Sequence, residues 1–418
     1  MESANPLPDK IIIIGAGVIG AACALALQAD GYDVVLIDRE APCAGASSGN
    51  AGVIVNASCV PTAMPGMLFE VLRMLGQPLP PLSIRPTYFH KILPWLIRFV
   101  WQGRYRAATE NATHLHALSQ YAVASWHRLI GKSTLPSLLE ESGWLKVYES
   151  EQTYAGTARA RHLMDQIGTK YEVLSAAQVH DLEPNLAAIY KFGIYQRDCL
   201  RILNPNRLVQ GMVDLLLSRG GTYSQFGVER IQLNSGNISL TGPAGILIAD
   251  KVVIAAGAWS RSLARQLGDD VPLDTERGYH LMLPASTQSL LNGPVMNGES
   301  SFVLSPMEDG LRLTSQVEFG GLSAAPDYAR VRSLLPVAKR MLPGIDAREE
   351  SVWMGFRPSL PDSLPVLGFS SSSTGVLYAF GHQHLGMTLG AISGFVVADL
   401  VAGRKPVMDV SPYGPQRF

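Results

Sequence analysis

The sequence predicts an α/β fold in which a mainly parallel sheet is assembled from discontinuous segments and carries an inserted antiparallel sheet, so that the whole chain is α+β. Two observations predict it. Residues 10–38 read as a buried strand, a glycine turn, an Ala/Leu-rich helix that closes at Gly31, and a second strand. Related patterns recur in the middle and at the end of the chain, and closely spaced strand signals lie between them.

The glycine turn has a spacing with a physical meaning. Gly15, Gly17 and Gly20 form a G-x-G-x-x-G sequence. The first glycine makes the tight turn, the second lets backbone N–H groups approach a pyrophosphate, and the third allows close packing of helix on strand. Asp38, at the end of the second strand, lies where a carboxylate accepts hydrogen bonds from a ribose 2′-hydroxyl. Because strand, turn, helix, strand and acid occur in this order, we predict a Rossmann-like domain that binds an adenine dinucleotide.

The rest of the chain supplies the other pieces of this architecture. Residues 251–255 read as a buried strand, and Val376–Phe380 and Gly386–Val401 as the last strand and helix. Further helices are predicted at residues 111–130, 151–168, 205–219 and 327–341. We therefore predict a nucleotide-binding domain and a second domain that holds the substrate. The first comprises residues 1–60, 200–272 and 350–418, and the second residues 61–199 and 273–349.

Composition excludes several classes of function. The net charge is −1, so no basic excess favours nucleic-acid binding. The four cysteines are scattered without a C-x-x-C pair and indicate neither a disulfide framework nor a metal site. The first strand begins by Lys10, which leaves no room for a signal peptide, and no apolar run reaches the roughly 18–20 residues needed to span a bilayer. We therefore expect a cytoplasmic protein with reduced thiols.

Residues 84–106 are unusual because aromatic and basic side chains alternate with apolar ones. Trp95, Phe99 and Trp101 occur together with Arg98 and Arg104. Such a segment can rest at a lipid interface, which would place the protein on the inner face of the cytoplasmic membrane. The alternative is an ordinary helix packed against the rest of the protein, and the sequence leaves both open.

Four segments together resemble a known family. The loop at residues 45–54, GASSGNAGVI, has small residues that let the backbone run against a flat, bulky ring system. Three more segments follow: AAGAWS at residues 255–260, GFRPSLPDSLPVLG at 355–368 and GHQHLGMTLG at 381–390. With the glycine turn, they resemble the FAD proteins of the D-amino acid oxidase superfamily, above all the bacterial D-amino acid dehydrogenases.

The resemblance implies FAD as the cofactor. It implies that the N-terminus of the last helix points at the flavin N1–C2=O edge, where its partial positive charge would stabilise the reduced flavin. It also implies that the main chain of one residue in the middle of the sequence meets the adenine. The turn and the resemblance together assign the following residues to FAD: Gly15, Gly17, Val18, Ile19, Gly20, Asp38, Arg39, Ser47, Ser48, Asn50, Ala51, Gly52, Val53, Val228 (the adenine contact), Ala256, Gly257, Gly386, Met387 and Thr388.

Three residues are predicted to act on the substrate. By resemblance, Arg357 of the R-P pair binds the substrate carboxylate with two hydrogen bonds, for which a planar guanidinium is suited. Tyr279 of the R-G-Y segment would border the substrate cavity and hydrogen-bond the substrate. His384 is the acid/base candidate beside the flavin, although a loop histidine is more often structural and amine oxidation by a flavin requires no side-chain base.

The resulting hypothesis is oxidative deamination of a D-amino acid. Hydride passes from Cα to flavin N5, the imino acid hydrolyses to a 2-oxo acid and ammonia, and the electrons go on to a quinone or another acceptor. Glycine, sarcosine or D-proline-derivative oxidation and 2-hydroxy-acid oxidation on the same scaffold stay open, as does a non-catalytic FAD subunit of a complex. The preferred side chain and the oligomeric state are not readable from the sequence.

Overall fold

The computed structural model describes residues 9–66 and 82–418. The parts of the predicted domains that fall on residues 1–8 and 67–81 lie outside this range. The described strands are β1 (Lys10–Ile14), β2 (Asp33–Asp38), β3 (Val53–Val55), β4 (Leu82–Ile84), β5 (Leu139–Glu141), β6 (Trp144–Tyr148), β7 (Glu172–Ser175), β8 (Phe192–Gln196), β9 (Cys199–Ile202), β10 (Thr222–Gln225), β11 (Arg230–Leu233), β12 (Ile238–Gly242), β13 (Gly245–Ala249), β14 (Lys251–Ile254), β15 (Asp274–Met282), β16 (Val295–Asn297), β17 (Phe302–Met307), β18 (Gly310–Phe319), β19 (Ser351–Ser359), β20 (Val366–Phe369) and β21 (Val376–Phe380). The described α-helices are α1 (Val18–Ala29), α2 (Phe89–Gln102), α3 (Tyr105–Ser119), α4 (Ala122–Ile130), α5 (Glu151–Gly156), α6 (Ala158–Ile167), α7 (Ala176–Leu182), α8 (Pro205–Ser218), α9 (Ser260–Gln266), α10 (Ala329–Arg332), α11 (Leu335–Met341) and α12 (Gly386–Val401).

A six-stranded sheet in the order β10-β2-β1-β14-β21-β20 carries the N-terminal strand near its centre. Neighbouring strands are parallel except for the β20–β21 pair. The isoleucines of β1 are at most 5% exposed, because helices or sheets cover both faces of a central parallel strand. The strands come from widely separated parts of the chain, which confirms the predicted Rossmann-like sheet of discontinuous segments.

Helices α1 and α12 cross closely on one face of this sheet. A Cβ atom on Gly394 would stand 2.6 Å from the carbonyl oxygen of Ala22, so only glycine permits this approach. By length and composition the stretch Gln383–Val401 could cross a bilayer, contrary to the expectation from the sequence. However, 67% of it is buried within the protein, so it is a core helix.

A nine-stranded sheet faces the first one. Its order is β19-β15-β18-β17-β16-β6-β8-β7, with β4 beside β18. Strands β15 and β19 pair antiparallel along their whole length. Because side chains alternate between faces, Gly278 and His280 lie on one face while Arg277 and Tyr279 lie on the other. Two further three-stranded sheets, β11-β12-β13 and β3-β9-β5, complete the described β structure.

Three of the predicted helices are each broken in two. The predicted helix at 327–341 is α10 and α11, because Pro336 in the first turn of α11 has no N–H to continue the preceding helix. The one at 151–168 is α5 and α6, separated at Thr157, whose hydroxyl donates to the carbonyl oxygen of Tyr154. The one at 111–130 is α3 and α4.

Helix α2 has two apolar faces. Ile92, Trp95 and Phe99 are buried against β4 and β18, which confirms the packed alternative for one face. On the other face, Ile97 and Trp101 are 63% and 61% exposed. The predicted lipid contact of residues 84–106 therefore concerns this second face and stays a prediction.

Candidate active site

A cavity of about 480 Å³ lies between the two large sheets. One wall is the carboxyl edge of the six-stranded sheet, where Asp38 ends β2, and Gly15, Ala255 and Gly381 each follow another of its strands. This edge is where open parallel sheets bind ligands. The other wall is the face of β15, β18 and β19 that carries Gly278 and Arg357.

The glycine turn at the first wall is sterically constrained. Gly15 has φ +112°, and a Cβ there would lie 2.4 Å from the carbonyl oxygen of Ala255. A Cβ on Gly20 would lie 1.8 Å from the carbonyl oxygen of Gly15. Both glycines are therefore required for the turn to fit against β14 and the start of α1, which is the packing that the spacing predicts.

The N-termini of α1 and α12 both border the cavity. Gly17, Val18 and Ile19 line it at the first helix, and Gly386 and Met387 at the second. Within the described chain, neither helix has a side-chain cap on its N-cap residue or an acidic residue in its first turn. Two partial positive charges are therefore directed at the cavity, although at α1 the N–H of Val18 already donates to Ser47 Oγ.

The acid at the end of β2 lies at one end of the cavity. Asp38 Oδ2 accepts a hydrogen bond from the backbone N–H of Ala16 at 2.7 Å, which fixes the carboxylate beside the glycine turn. The guanidinium of Arg39 lies 3.7 Å above the ring of Trp259 and forms a flat wall. Val228, Ala256 and Gly257 line the same end.

The loop after β2 is held by an arginine that sequence reasoning missed. Arg312 Nη1 donates to the carbonyl oxygens of Ser48 and Asn50, at 2.9 and 2.7 Å. The same loop reaches the α1 N-terminus, where Ser47 Oγ accepts from the N–H of Val18 at 3.0 Å. Burial lowers the pKa of Arg312 to about 10. No local pattern marks this residue, because it lies on β18, far along the chain.

Several of the predicted FAD residues do not line the cavity. Ser48 turns its carbonyl to Arg312, and Gly52 packs against Ile202 and Met307. Thr388 accepts a hydrogen bond from the N–H of Val55, which fastens α12 to β3. Gly20 and Val53 are likewise absent from the lining. These residues support the walls, and their direct contact with the ligand stays a prediction.

Arg357 projects into the cavity from β19. Its guanidinium lies across β15 at Gly278, where a Cβ would stand 2.4 Å from Nη2, and Nη2 donates to the carbonyl oxygen of Ser315 at 3.4 Å. Burial lowers the pKa of Arg357, and Glu276, its register partner on β15, opposes that shift. Since arginine stays protonated in proteins, the site has a fixed cation with donors available to an anion.

The prediction for Tyr279 is corrected by the structure. Its side chain is 1% exposed and lies on the opposite face of β15 from the cavity. Its hydroxyl donates to Glu318 at 2.6 Å and accepts from the N–H of Asp327 at 3.1 Å. Gly278 is thus the residue of the R-G-Y segment that meets the cavity, because it makes room for Arg357.

His384 lines the cavity just before α12 and is open to it. Desolvation by the surrounding walls, together with the positive charges of Arg357 and Lys146, lowers its pKa to about 4. Its imidazole is therefore neutral at neutral pH. A neutral ring can donate or accept a hydrogen bond, but it adds no charge to the site.

Two buried histidines make the fold sensitive to acid. Burial lowers the pKa of His280 and of His382 from 6.5 to about 3. Because the unfolded chain takes up protons at these sites first, the free energy of unfolding should fall as the pH drops from about 6.5 towards 3. We expect His382→Gln to make this acid slope shallower by up to about 1.4 kcal/mol per pH unit in urea-unfolding measurements. His90→Gln, at an exposed position, is the control, and an unchanged slope in His382→Gln would contradict the prediction.

Fold and cavity together define a dinucleotide-binding α/β protein. The part of its cavity beyond the dinucleotide site contains the positive charge of Arg357. The chain belongs to the family described as FAD dependent oxidoreductase, whose profile matches residues 10–400. It is 33% identical over 422 residues to a D-amino-acid oxidase from Bradyrhizobium diazoefficiens, covering 99% of this chain and all of that protein. It is 29% identical to D-amino acid dehydrogenase 2 from Mesorhizobium japonicum, covering 96% of this chain and 98% of that one. Glycine oxidase from Geobacillus kaustophilus shares the fold, with a TM-score of 0.73, 23% identity and coverage of 98% and 99%.

The residues present fit FAD. The cavity runs from the carboxylate of Asp38, past the N-termini of α1 and α12, to the guanidinium of Arg357. Glycines at positions 17 and 386 leave the backbone of both helices accessible from the cavity. The protein is an FAD-dependent oxidoreductase, as predicted.

Proposed function

We propose that the protein catalyses oxidative deamination of D-amino acids. When bound, FAD would supply the two-electron acceptor for the Cα hydride, and the imino acid released would hydrolyse to a 2-oxo acid and ammonia. The observation that carries the proposal is the guanidinium of Arg357 in the cavity that the helix N-terminus at Gly386 also borders. The names of the two relatives, a D-amino-acid oxidase and a D-amino acid dehydrogenase, support it.

Arg357 is assigned the substrate carboxylate. Its guanidinium can donate two parallel hydrogen bonds, which fixes the orientation of the substrate as well as its position. Glu276 is buried opposite it in register and accepts a hydrogen bond from Ser359. Burial raises the pKa of Glu276, and the nearby Arg357 opposes that shift. Glu276 is therefore a positioning residue that stabilises the cation from the neighbouring position on the same face of the sheet.

His384 is assigned a neutral, orienting role. A pKa of about 4 means that it stays unprotonated wherever the substrate carboxylate is ionised and the pH is near neutral. A neutral imidazole beside Arg357 can accept a hydrogen bond from the substrate amine without competing for the carboxylate. Deprotonation of the amine before oxidation can be left to solvent, since the chemistry needs no side-chain base.

FAD is assigned to the rest of the cavity. The N–H groups of Gly17 and Ile19 suit its pyrophosphate, and Asp38 its ribose hydroxyls. The isoalloxazine would lie between the loop at residues 45–52 and the start of α12. The lining residues that we assign to FAD are Gly15, Gly17, Val18, Ile19, Asp38, Arg39, Ser47, Asn50, Ala51, Val228, Ala256, Gly257, Gly386 and Met387.

Arg312 should matter to FAD although it lies behind the loop. Arg312→Met removes two charge-assisted hydrogen bonds that fix the carbonyls of Ser48 and Asn50. At about 1.5–3 kcal/mol for such bonds, we expect FAD affinity to fall roughly tenfold to a hundredfold. Fluorescence titration of the apoprotein with FAD measures this. Arg207→Met, on an exposed ion pair with Glu308, is the control, and equal affinities in the two variants would contradict the role.

Product analysis tests the proposed reaction. The purified holoenzyme is incubated with a panel of D- and L-amino acids, glycine, sarcosine, D-proline and 2-hydroxy acids, with oxygen or a quinone analogue as acceptor. We expect 2-oxo acid and ammonia in equal amounts from D-amino acids. Turnover of glycine, sarcosine or a 2-hydroxy acid in preference would replace the proposal, and reduction by dithionite alone would indicate a non-catalytic FAD subunit. The two acceptors decide between oxidase and dehydrogenase.

We also propose that the protein rests on an anionic membrane surface through the exposed face of α2. Ile97 and Trp101 are more than 60% exposed there, and Arg98 and Arg104 lie exposed beside them. Apolar and basic side chains on one surface suit a lipid interface, and this position would bring the enzyme near a quinone. Co-sedimentation with anionic vesicles is expected and should be lost in Ile97→Glu. Ile246→Glu, equally exposed on β13, is the control, and equal binding of both would contradict the contact.

A further inference from the structure

Two glycines oppose each other where β15 and β19 face the cavity, and each is covered by a large side chain of β19. Gly278 and Gly355 are register partners. The guanidinium of Arg357 lies over Gly278. The indole of Trp353 lies over Gly355, where a Cβ would stand 1.9 Å from Cη2. The cation and the indole therefore occupy neighbouring positions on one cavity wall, over a depression that only glycines provide.

The indole is held on three sides. Besides Gly355, it lies against Gly49 of the loop after β2, where a Cβ would stand 1.9 Å from Cζ3. On the third side it stacks on the imidazole of His280, with centroids 5.1 Å apart and planes at 17°. His280 is buried, and its Nδ1 lies 3.4 Å from the carbonyl oxygen of Gly49. Trp353 is therefore a fixed wall, with one surface left to the cavity.

The surrounding wall has one sign of charge. Among the described side chains that the nine-stranded sheet contributes to the cavity, Arg357 is the one that is charged; the others include Val303 and Thr314. A cationic substrate side chain would meet no carboxylate here and would be repelled by Arg357. An apolar side chain would instead be removed from water against the indole.

We propose that Trp353 is a specificity-determining residue, whose indole packs on the substrate side chain and selects D-amino acids with apolar side chains. The inference rests on the proposed function. With the carboxylate on Arg357, the substituent on Cα lies next to the neighbouring position on the wall, which the indole occupies. Larger apolar side chains gain more contact with the indole than the methyl group of D-alanine does.

The test compares kcat/KM for D-leucine, D-alanine and D-lysine in the wild type, Trp353→Ala and Trp353→Phe. We expect the ratio of kcat/KM for D-leucine to that for D-alanine to fall about tenfold or more in Trp353→Ala, because burying a leucine-sized side chain contributes strongly to the free energy of binding. In Trp353→Phe the ratio should be partly retained. Wild-type turnover of D-lysine should be about a hundredfold lower than that of D-leucine. Ile246→Ala, at an exposed residue of β13 that does not line the cavity, should leave the ratio unchanged.

Each outcome has a distinct meaning. FAD content and its visible spectrum show that each variant is folded and loaded. A ratio that stays near the wild-type value or rises in both Trp353 variants would overturn the inference while the proposed function stands. D-Lysine turned over as well as D-leucine would overturn it too. If the wild type oxidises none of the three amino acids, the proposed function itself has failed.

Discussion

Arg357→Ala is expected to lower kcat/KM for D-alanine by about 30-fold to several thousand-fold, which corresponds to roughly 2–5 kcal/mol for losing a charge-paired partner in a desolvated site. The guanidinium is the charged group directed into the substrate half of the cavity, and Gly278 keeps the path across β15 clear for it. KM should rise and kcat should fall, because the lost ion pair also orients Cα for hydride transfer. Steady-state kinetics with a saturating acceptor measure both.

The conservative variant sharpens this prediction. Arg357→Lys keeps the charge but loses the planar pair of donors, so we expect activity between those of the wild type and the alanine variant. Arg332→Ala, in an exposed pair with Glu349, should leave kinetics unchanged. An alanine variant that binds FAD normally and keeps wild-type kcat/KM would show that the carboxylate is bound elsewhere.

Gly15→Ala is expected to abolish cofactor retention. The substitution forces an L-residue to φ +112° and places a Cβ 2.4 Å from the carbonyl oxygen of Ala255, which belongs to the backbone and cannot move aside. The turn and the start of α1 must shift, and with them the N–H groups assigned to the pyrophosphate. We expect the purified variant to hold about a tenth or less of the wild-type FAD and to melt at a lower temperature.

Gly31→Ala is the control that separates the effect of a positive φ from the effect of a steric clash. Gly31 also has positive φ, +91°, but a Cβ there would meet no described atom within 4 Å. The substitution should lower the free energy of unfolding by only roughly 1–2 kcal/mol, the cost of the left-handed conformation, and leave the FAD content unchanged. If both variants lose FAD equally, the close approach to Ala255 is not what the turn requires.

The first strand, the glycine turn, Asp38 and the last helix could be predicted because their signals are local. The periodicity of the apolar residues and the spacing of the glycines lie within about 30 consecutive residues, so no long-range contact is needed to read them. The same reasoning predicted that strands from separate segments of the chain form one sheet. Strand β21 and helix α12 begin and end where predicted.

The substrate half of the site could be predicted only in part. Arg357 was found through its motif, but β19 was not predicted as a strand, and the choice of Tyr279 over Gly278 depended on which face of β15 each residue takes. Arg312 and Trp353 gain their roles from contacts with the loop after β2, which lies more than 250 residues earlier. Such contacts are set by tertiary packing, and one sequence contains no signal for them.

Anaerobic mixing of the FAD-loaded protein with D-alanine, L-alanine and D-alaninamide tests the central claim most directly, with loss of the oxidised flavin absorbance as the readout. If Arg357 holds the substrate carboxylate while Cα faces the flavin, D-alanine should reduce the protein fully. L-Alanine and the amide, which has no carboxylate, should do so far more slowly. Reduction of the flavin by the amide as fast as by D-alanine would contradict the assignment of Arg357. Failure of both alanine enantiomers to reduce it would contradict the proposed reaction.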